Sequence, residues 1–144
     1  MKIAIGADHG GFNYKSKIKD FLRVRGIDII DVGTNSTNSC DYPEFAHKVA
    51  ELITTGEAEL GILVCGTGIG MSITANKHKG IRASHCTDTF SAKATREHNN
   101  SNVLCLGERI LGEEIMLQIV ETWINTPFSN DERHIRRINR IELD

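Results

Sequence analysis

Residues 60–76, LGILVCGTGIGMSITAN, hold the local signals that decide the fold. The uninterrupted apolar run over residues 60–64 is typical of a buried strand. A glycine-rich loop follows over residues 65–70, and a helical pattern resumes over residues 71–76. A strand that passes through a glycine loop into a helix is the building unit of a parallel sheet whose faces are covered by helices.

The same order of signals recurs on both sides of this stretch. Further strands are predicted over residues 2–7, 27–32, 80–85 and 102–106, and further helices over residues 12–24, 43–54, 88–97 and 110–124. A length of 144 residues fits one domain. The sequence therefore predicts an α/β fold over residues 1–144, a single-domain, Rossmann-like three-layer sandwich with a five-stranded parallel sheet.

The tail over residues 130–143 has a pattern of its own. Ile135, Ile138 and Ile141 recur at three-residue spacing, and arginines lie between them. This spacing predicts a helical tail whose apolar stripe needs a partner surface, which we expect to belong to a second subunit.

Composition excludes several classes of partner. The net charge is -2, and lysine and arginine are spread along the whole chain, so no basic field is present that would recruit a nucleic acid. The longest apolar runs are far shorter than the roughly 20 residues needed to span a membrane. With no signal for secretion, we expect a cytoplasmic protein.

The four cysteines, Cys40, Cys65, Cys86 and Cys105, form no CxxC pair, so the sequence contains neither a zinc-ribbon nor a thioredoxin motif. In a reducing compartment they are expected to be free thiols. Cys86 and Cys105 fall in strand-like runs and are expected to be structural, and Cys40, in a polar loop, is expected to be exposed and incidental. The histidines form no HxH or HxxxH pair, so we predict no metal site and no cofactor. His47, His78 and His134 are expected to be solvated surface residues.

Chemistry in such a sheet is expected beyond the carboxyl ends of the strands. Three segments are predicted to converge there: Asp8-His9-Gly10-Gly11, the loop over residues 65–70, and residues 97–100 before the fifth strand. The loop resembles half of a dinucleotide fingerprint, but Met71 stands where that motif needs glycine, so NAD binding is weakly supported.

The glycine loop instead offers backbone N–H groups to a phosphate or to a developing enediolate. Cys65 stands beside these donors, which favour a thiolate, so it is a candidate general base or nucleophile. The alternative is a buried cysteine that closes an apolar strand, since free cysteine is among the most buried residue types.

Five motifs occur together in this chain: GADHGGF near the N-terminus, DYP at residues 41–43, CGTGIGMSITANK, REHNN, and a late R-H-x-x-R. In this order and spacing, over nearly the whole chain, they resemble the ribose-5-phosphate isomerase type B family. That family also includes allose-6-phosphate and galactose-6-phosphate isomerases. Some members use a glutamate in the following helix in place of the cysteine, but residues 71–76 here contain no carboxylate.

The resemblance implies an aldose–ketose isomerase that interconverts ribose 5-phosphate and ribulose 5-phosphate through a cis-enediolate, within the non-oxidative pentose phosphate pathway. By resemblance, Cys65 is the base, and Thr67 and His98 open the sugar ring. The implied binding residues serve the anion hole, the sugar hydroxyls and the phosphate. They are Gly66, Gly68, Ile69 and Gly70 for the anion hole, Asp8, Tyr42 and Asn99 for the hydroxyls, and His9, Arg109, Arg133 and Arg137 for the phosphate.

The resemblance also implies a homodimer, possibly paired into a tetramer, in which Arg133 and Arg137 act across the interface. Arg136 stands next to Arg137, so the second arginine contact could be shifted by one residue. Apart from the resemblance, Asp8 and His9 could cap a helix, and His98-Asn99 could end one. Two rival functions stay open: a six-carbon sugar phosphate as substrate, and a nucleotide-binding module without catalysis.

Overall fold

Five parallel strands form the central sheet of the computed structural model, which describes residues 1–143. They are β1 (Lys2–Ala7), β2 (Asp28–Asp31), β3 (Leu60–Cys65), β4 (Ala83–His85) and β5 (Val103–Gly107). Their order across the sheet is β2-β1-β3-β5-β4, and every neighbouring pair is parallel. The predicted five-stranded parallel sheet is confirmed.

Within residues 1–143, six helices connect or follow the strands. They are α1 (Phe12–Val24), α2 (Tyr42–Thr54), α3 (Ile69–Ala75), α4 (Thr89–Asn99), α5 (Glu113–Asn125) and α6 (Glu132–Ile138). Local chemistry explains where several begin and end. Pro43 lies in the first turn of α2. The Asp88 side chain accepts a hydrogen bond from the N–H of Ser91 at the start of α4. Gly26 follows the end of α1 and has φ of +70°, a conformation that suits glycine.

The two faces of the sheet bury alternate residues of each strand. In β3, Ile62 and Val64 pack into the apolar cluster that includes residues of α1, α4 and α5, whereas Leu63 and Cys65 pack into the cluster that includes residues of α2 and α3. Because both faces are covered, the strands read as continuous apolar runs instead of alternating ones. This arrangement confirms the three-layer sandwich.

The connections diverge between β1 and β3. The chain leaves β1 toward α1 on one face, and it leaves β3 toward α3 on the other face. Such a divergence opens a crevice at the carboxyl ends of the two strands. Asp8 and Cys65 stand at this crevice, since Ala7 pairs with Val64 at the last rung between β1 and β3.

Several predicted boundaries shift. Strand β4 is limited to Ala83–His85, and α5 begins only at Glu113, after Gly112. The consequential difference is in α4, which continues to Asn99. Since α4 runs from the carboxyl end of β4 back toward the start of β5, His98 and Asn99 lie at the amino edge of the sheet. The prediction that residues 97–100 converge with Cys65 is therefore wrong within one chain.

The tail forms a helix, α6, that contacts α4 of the same chain. Its apolar stripe is only partly covered, because Ile135 and Ile141 remain 40% and 51% exposed. Packing of this stripe on a partner subunit stays a prediction. None of the helices within residues 1–143 is both long and apolar enough to cross a bilayer.

Candidate active site

A cavity of about 400 Å³ opens at the carboxyl ends of β1, β3 and β5. We call it the Cys65 pocket, and its lining residues come from four separate loops and helix starts: Asp8, Tyr42, Cys65, Gly66, Thr67, Ile69, Gly70, Ile73 and Arg109. A larger cavity of about 640 Å³ lies near the amino ends of the strands, but neither a thiol nor an imidazole lines it. The smaller cavity therefore has the chemistry of a reaction site.

Cys65 is the last residue of β3 and only 5% exposed. Its Sγ accepts a hydrogen bond from the backbone N–H of Gly68 at 3.0 Å. The sulfur thus lies at the pocket wall, directly beside a backbone donor of the glycine loop. The sequence alone could not distinguish a structural Cys65 from a reactive one. Its position in the pocket and its contact with the Gly68 N–H support a reactive role.

The other two buried thiols differ from Cys65. Burial raises the pKa of Cys86 to about 11, with a further contribution from Asp88. Burial also raises the pKa of Cys105 well above its ordinary value. Both thiols belong to the apolar clusters on the two faces of the sheet, so the expectation that they are structural is confirmed.

The turn after Cys65 requires glycine at position 68. Gly68 has φ of +82°, a conformation that residues with a side chain rarely adopt. A Cβ on Gly68 would also lie 2.8 Å from Cδ2 of His85 and 2.9 Å from the carbonyl carbon of Leu106. Glycine thus permits the turn that points the Gly68 N–H at Cys65, while Thr67 Oγ1 accepts a hydrogen bond from the N–H of Ile69 at 3.2 Å.

Asp8 forms the wall of the pocket after β1. Its side chain is 6% exposed, and Oδ1 accepts a hydrogen bond from the N–H of Gly10 at 2.9 Å. The N-cap residue of α1 is Gly11, so Asp8 stabilises the turn instead of capping the helix. A Cβ on Gly11 would lie 2.4 Å from the carbonyl oxygen of Val64, which explains how this turn packs so closely against β3.

His9 is held by the loop that precedes α2. Its Nδ1 lies 3.2 Å from the backbone nitrogen of Cys40, whose N–H donates to it. An Nδ1 that accepts a hydrogen bond leaves Nε2 as the protonated nitrogen of the neutral ring. The expectation that Cys40 is exposed and incidental is wrong, because Cys40 is half-buried and its backbone orients His9.

Tyr42 and Arg109 cover the glycine loop from two sides. A Cβ on Gly70 would lie 2.6 Å from the ring of Tyr42, and a Cβ on Gly66 would lie 3.0 Å from Nη1 of Arg109. The backbone N–H of Arg109 also donates to the carbonyl of Gly66 at 3.0 Å. The phenol and the guanidinium therefore lie directly over the backbone donors.

The remaining predicted residues form a second group, which we call the α4–α6 cluster: His98, Asn99, Arg133, His134 and Arg137. His98 stacks on His134 with ring centroids 4.5 Å apart and planes 16° apart. Both arginines and His98 are exposed. Burial lowers the pKa of His134, and the neighbouring His98 and Arg133 lower it further.

The structure thus separates the predicted residues into two groups. At 1.5 Å rise per residue, α4 alone spans roughly 16 Å between the two edges of the sheet. His134 was expected to be a solvated surface residue, but it is 6% exposed. The feature of the sequence that could have identified His134 is its position inside the R-H-x-x-R motif. Ile73, 58% exposed at the pocket rim, gave no signal in the sequence.

Residues 1–143 contain no group of three or more histidine, cysteine, aspartate or glutamate side chains arranged to hold a metal ion.

Comparisons with known proteins agree on one family. The family model described as Ribose/Galactose Isomerase matches residues 3–141. Ribose-5-phosphate isomerase B of Escherichia coli is 45% identical over 140 residues, which cover 97% of this chain and 93% of the relative. D-erythrulose-4-phosphate isomerase of Pectobacterium atrosepticum is 42% identical over 129 residues, covering 89% and 85%. The solved structure of Clostridium thermocellum ribose-5-phosphate isomerase B is 51% identical with a TM-score of 0.96, covering 98% and 95%.

Proposed function

Because this chain belongs to the ribose/galactose isomerase family, we propose that it interconverts D-ribose 5-phosphate and D-ribulose 5-phosphate. The observation that carries the proposal is the Cys65 thiol, which lies in a pocket at the crevice of the sheet and accepts the Gly68 N–H. A base with a backbone donor beside it is what a proton transfer next to a carbonyl needs.

In the proposed reaction, the Cys65 thiolate removes the proton from C2 of the open-chain aldose. The electron pair moves to the C1 oxygen and gives a cis-enediolate, whose negative charge the N–H groups of residues 66–70 stabilise. A proton passes from the C2 hydroxyl to the C1 oxygen, the thiol returns its own proton to C1, and C2 becomes the ketone carbon. The reaction moves two protons within the sugar and oxidises no group of the protein, so no metal or cofactor takes part in the proposed steps.

The other candidate residues at this edge of the sheet are assigned to binding. Asp8 and Tyr42 contact sugar hydroxyls, and His9 and Arg109 contact the phosphate. His9 suits this role because the Cys40 N–H leaves its Nε2–H free to donate to an anion. Arg109 suits phosphate binding because its guanidinium lies beside Gly66 in the pocket, where it can donate hydrogen bonds to an anion. Thr67, exposed beside Cys65, takes part in ring opening.

The α4–α6 cluster completes the site from a second subunit. Its separation from the Cys65 pocket within one chain is the main support, because His98 cannot reach a sugar at Cys65 of its own chain. In a homodimer, possibly paired further into a tetramer, His98 gives a proton to the ring oxygen, Asn99 contacts a hydroxyl, and Arg133 and Arg137 bind the phosphate. The exposed Ile135 and Ile141 of the tail supply apolar area for the interface. We place the activity in the non-oxidative pentose phosphate pathway of the cytoplasm.

Two alternatives keep the proposed reaction and change only the substrate. The family includes isomerases of six-carbon sugar phosphates, and the Pectobacterium relative is named for a four-carbon one. Pocket length decides among them, since a longer chain must place its phosphate farther from Cys65. A nucleotide-binding module without catalysis is the rival from another class, but it leaves the Cys65–Gly68 contact without a role.

The test is steady-state isomerisation of ribose 5-phosphate against allose 6-phosphate, galactose 6-phosphate and D-erythrulose 4-phosphate, with EDTA present throughout. We expect the highest kcat/KM for ribose 5-phosphate, unchanged by EDTA. A higher kcat/KM for another sugar phosphate would keep the mechanism and replace the substrate. No turnover of any of the four would contradict the proposed function.

A further inference from the structure

Two histidine rings, one on α2 and one just after α3, are in contact on the sheet face opposite α1. Nδ1 of His47, on α2, lies 2.7 Å from Nε2 of His78, which follows α3. The ring centroids are 5.0 Å apart and the planes are tilted by 60°. His47 is exposed and His78 is half-exposed, so both nitrogens are reachable from solvent. Neither ring has a part in the proposed reaction.

We propose that His47 and His78 form a two-histidine clip for a divalent transition-metal ion of the Ni²⁺ and Cu²⁺ kind. Metal–imidazole bonds are about 2.0–2.1 Å long, so two imidazole nitrogens at 90° about one ion lie about 2.9 Å apart. The observed separation of 2.7 Å is within a few tenths of this value. Small rotations of the two rings let His47 Nδ1 and His78 Nε2 both bind one ion, which replaces the proton of the hydrogen bond between them.

The donor set selects the class of ion. Imidazole nitrogen suits nickel, copper and zinc, whereas calcium and magnesium require oxygen ligands. Within residues 1–143 no third histidine, cysteine, aspartate or glutamate joins the pair, so water occupies the other coordination positions. An octahedral or tetragonal ion accepts two cis nitrogens with several waters, which favours Ni²⁺ and Cu²⁺ over tetrahedral Zn²⁺.

The clip links the two helices that frame the Cys65 pocket. His47 lies one to two turns after Tyr42 on α2, and His78 follows α3, whose first residues, Ile69 and Gly70, line the pocket. The two helices already touch where the Tyr42 ring covers Gly70. A metal bound to the folded chain across this pair should raise its thermal stability, because the unfolded chain does not hold the two rings together.

The test uses the full-length chain without a histidine tag and Ni²⁺ as the probe, because Cu²⁺ would also oxidise exposed thiols. Titration calorimetry should give one Ni²⁺ per chain, and saturating Ni²⁺ should raise Tm by several degrees. His47→Gln and His78→Gln should each weaken Ni²⁺ binding at least tenfold and abolish the rise in Tm.

His85→Gln is the matched control, because His85 is also exposed but lies at the end of β4, away from the pair. It should bind Ni²⁺ as the unaltered chain does. Equal Ni²⁺ affinity in the unaltered chain, H47Q and H78Q would overturn the clip and leave a simple hydrogen bond between two rings. Loss of binding in H85Q would assign the metal to another place. Both outcomes are independent of isomerase activity.

Discussion

The two edges of the central sheet are built in different ways. At the carboxyl edge, the Cys65 pocket has two buried side chains, Asp8 and Cys65, beside backbone donors whose turns depend on glycine. At the amino edge, the α4–α6 cluster consists mainly of exposed side chains on the ends of two helices. The first edge has the thiol and the glycine loop, and the second has neither. One chain thus carries two halves of the proposed site and keeps them apart.

The largest expected effect concerns the thiol of the carboxyl edge. Cys65→Ala should lower kcat for isomerisation by about 10²- to 10⁴-fold, the usual contribution of a general base, and leave inhibitor binding by phosphate nearly unchanged. Solvent proton exchange at C2, followed by NMR, should stop as well. Cys86→Ala is the control, since it removes a buried thiol outside the pocket. Retained turnover in Cys65→Ala would remove the proposed base.

The second prediction contrasts the thiols themselves. At pH 8 only about one in a thousand Cys86 side chains is a thiolate, given its pKa of about 11. Full burial protects Cys105 likewise. A chromogenic disulfide reagent should therefore label no more than two thiols of the folded protein, Cys40 and Cys65, and all four after denaturation. Mass spectrometry after limited labelling identifies the sites, and early labelling of Cys105 would contradict the buried position given for β5.

Mixing inactive variants tests whether the two edges meet between subunits. Cys65→Ala affects the carboxyl edge and Arg133→Ala the amino edge, so a hybrid dimer has one site with both defects and one with none. After subunit exchange, random pairing should restore up to about a quarter of the unaltered activity. Two Cys65→Ala preparations mixed together serve as the control. Absence of recovery, with hybrids demonstrated by native mass spectrometry, would argue that the site lies within one chain.

The smallest expected effect is a pH-dependent loosening of the tail. The pKa of His134 is lower in the folded chain than the ordinary value, so the unfolded tail binds a proton more readily. Docking of α6 is therefore most stable above the ordinary pKa of about 6.5 and weakens as pH falls through the lowered value. Hydrogen exchange corrected for intrinsic rates should show faster opening of α6 at pH 5 than at pH 8, with β3 unchanged.

His134→Phe keeps an aromatic ring against His98 and removes the titration. In this variant the opening of α6 should no longer depend on pH between 5 and 8. A pH dependence that persists in His134→Phe would assign the loosening to another group.

The sequence predicted the strands and helices because their signals are local. Continuous apolar runs predicted that β1, β3 and β5 are buried on both faces of the sheet. Gly26 indicated the end of α1, and Pro43 indicated the start of α2. The same local patterns pointed to Asp8 and Cys65, each at the end of a buried strand, and parallel strands bring such ends to one edge. This part of the candidate site followed from the pattern alone.

Relations between distant segments did not follow. The placement of His98 depended on the direction of α4, which starts after the carboxyl end of β4 and carries His98, near its own end, to the amino edge. The contact of Cys40 with His9 and the pairing of His47 with His78 each join residues 31 positions apart in the chain. No periodicity encodes such contacts, because packing of whole elements sets them.

The sequence by itself determined the fold class, the order of the elements and the family, since apolar periodicity, turn residues and motif spacing are read along the chain. Only the tertiary structure decided which residues share an edge of the sheet. The physical reason is that a helix in a parallel α/β sheet reverses direction relative to its strands. Residues at its start and at its end therefore lie on opposite sides of the molecule, although α4 has only eleven residues.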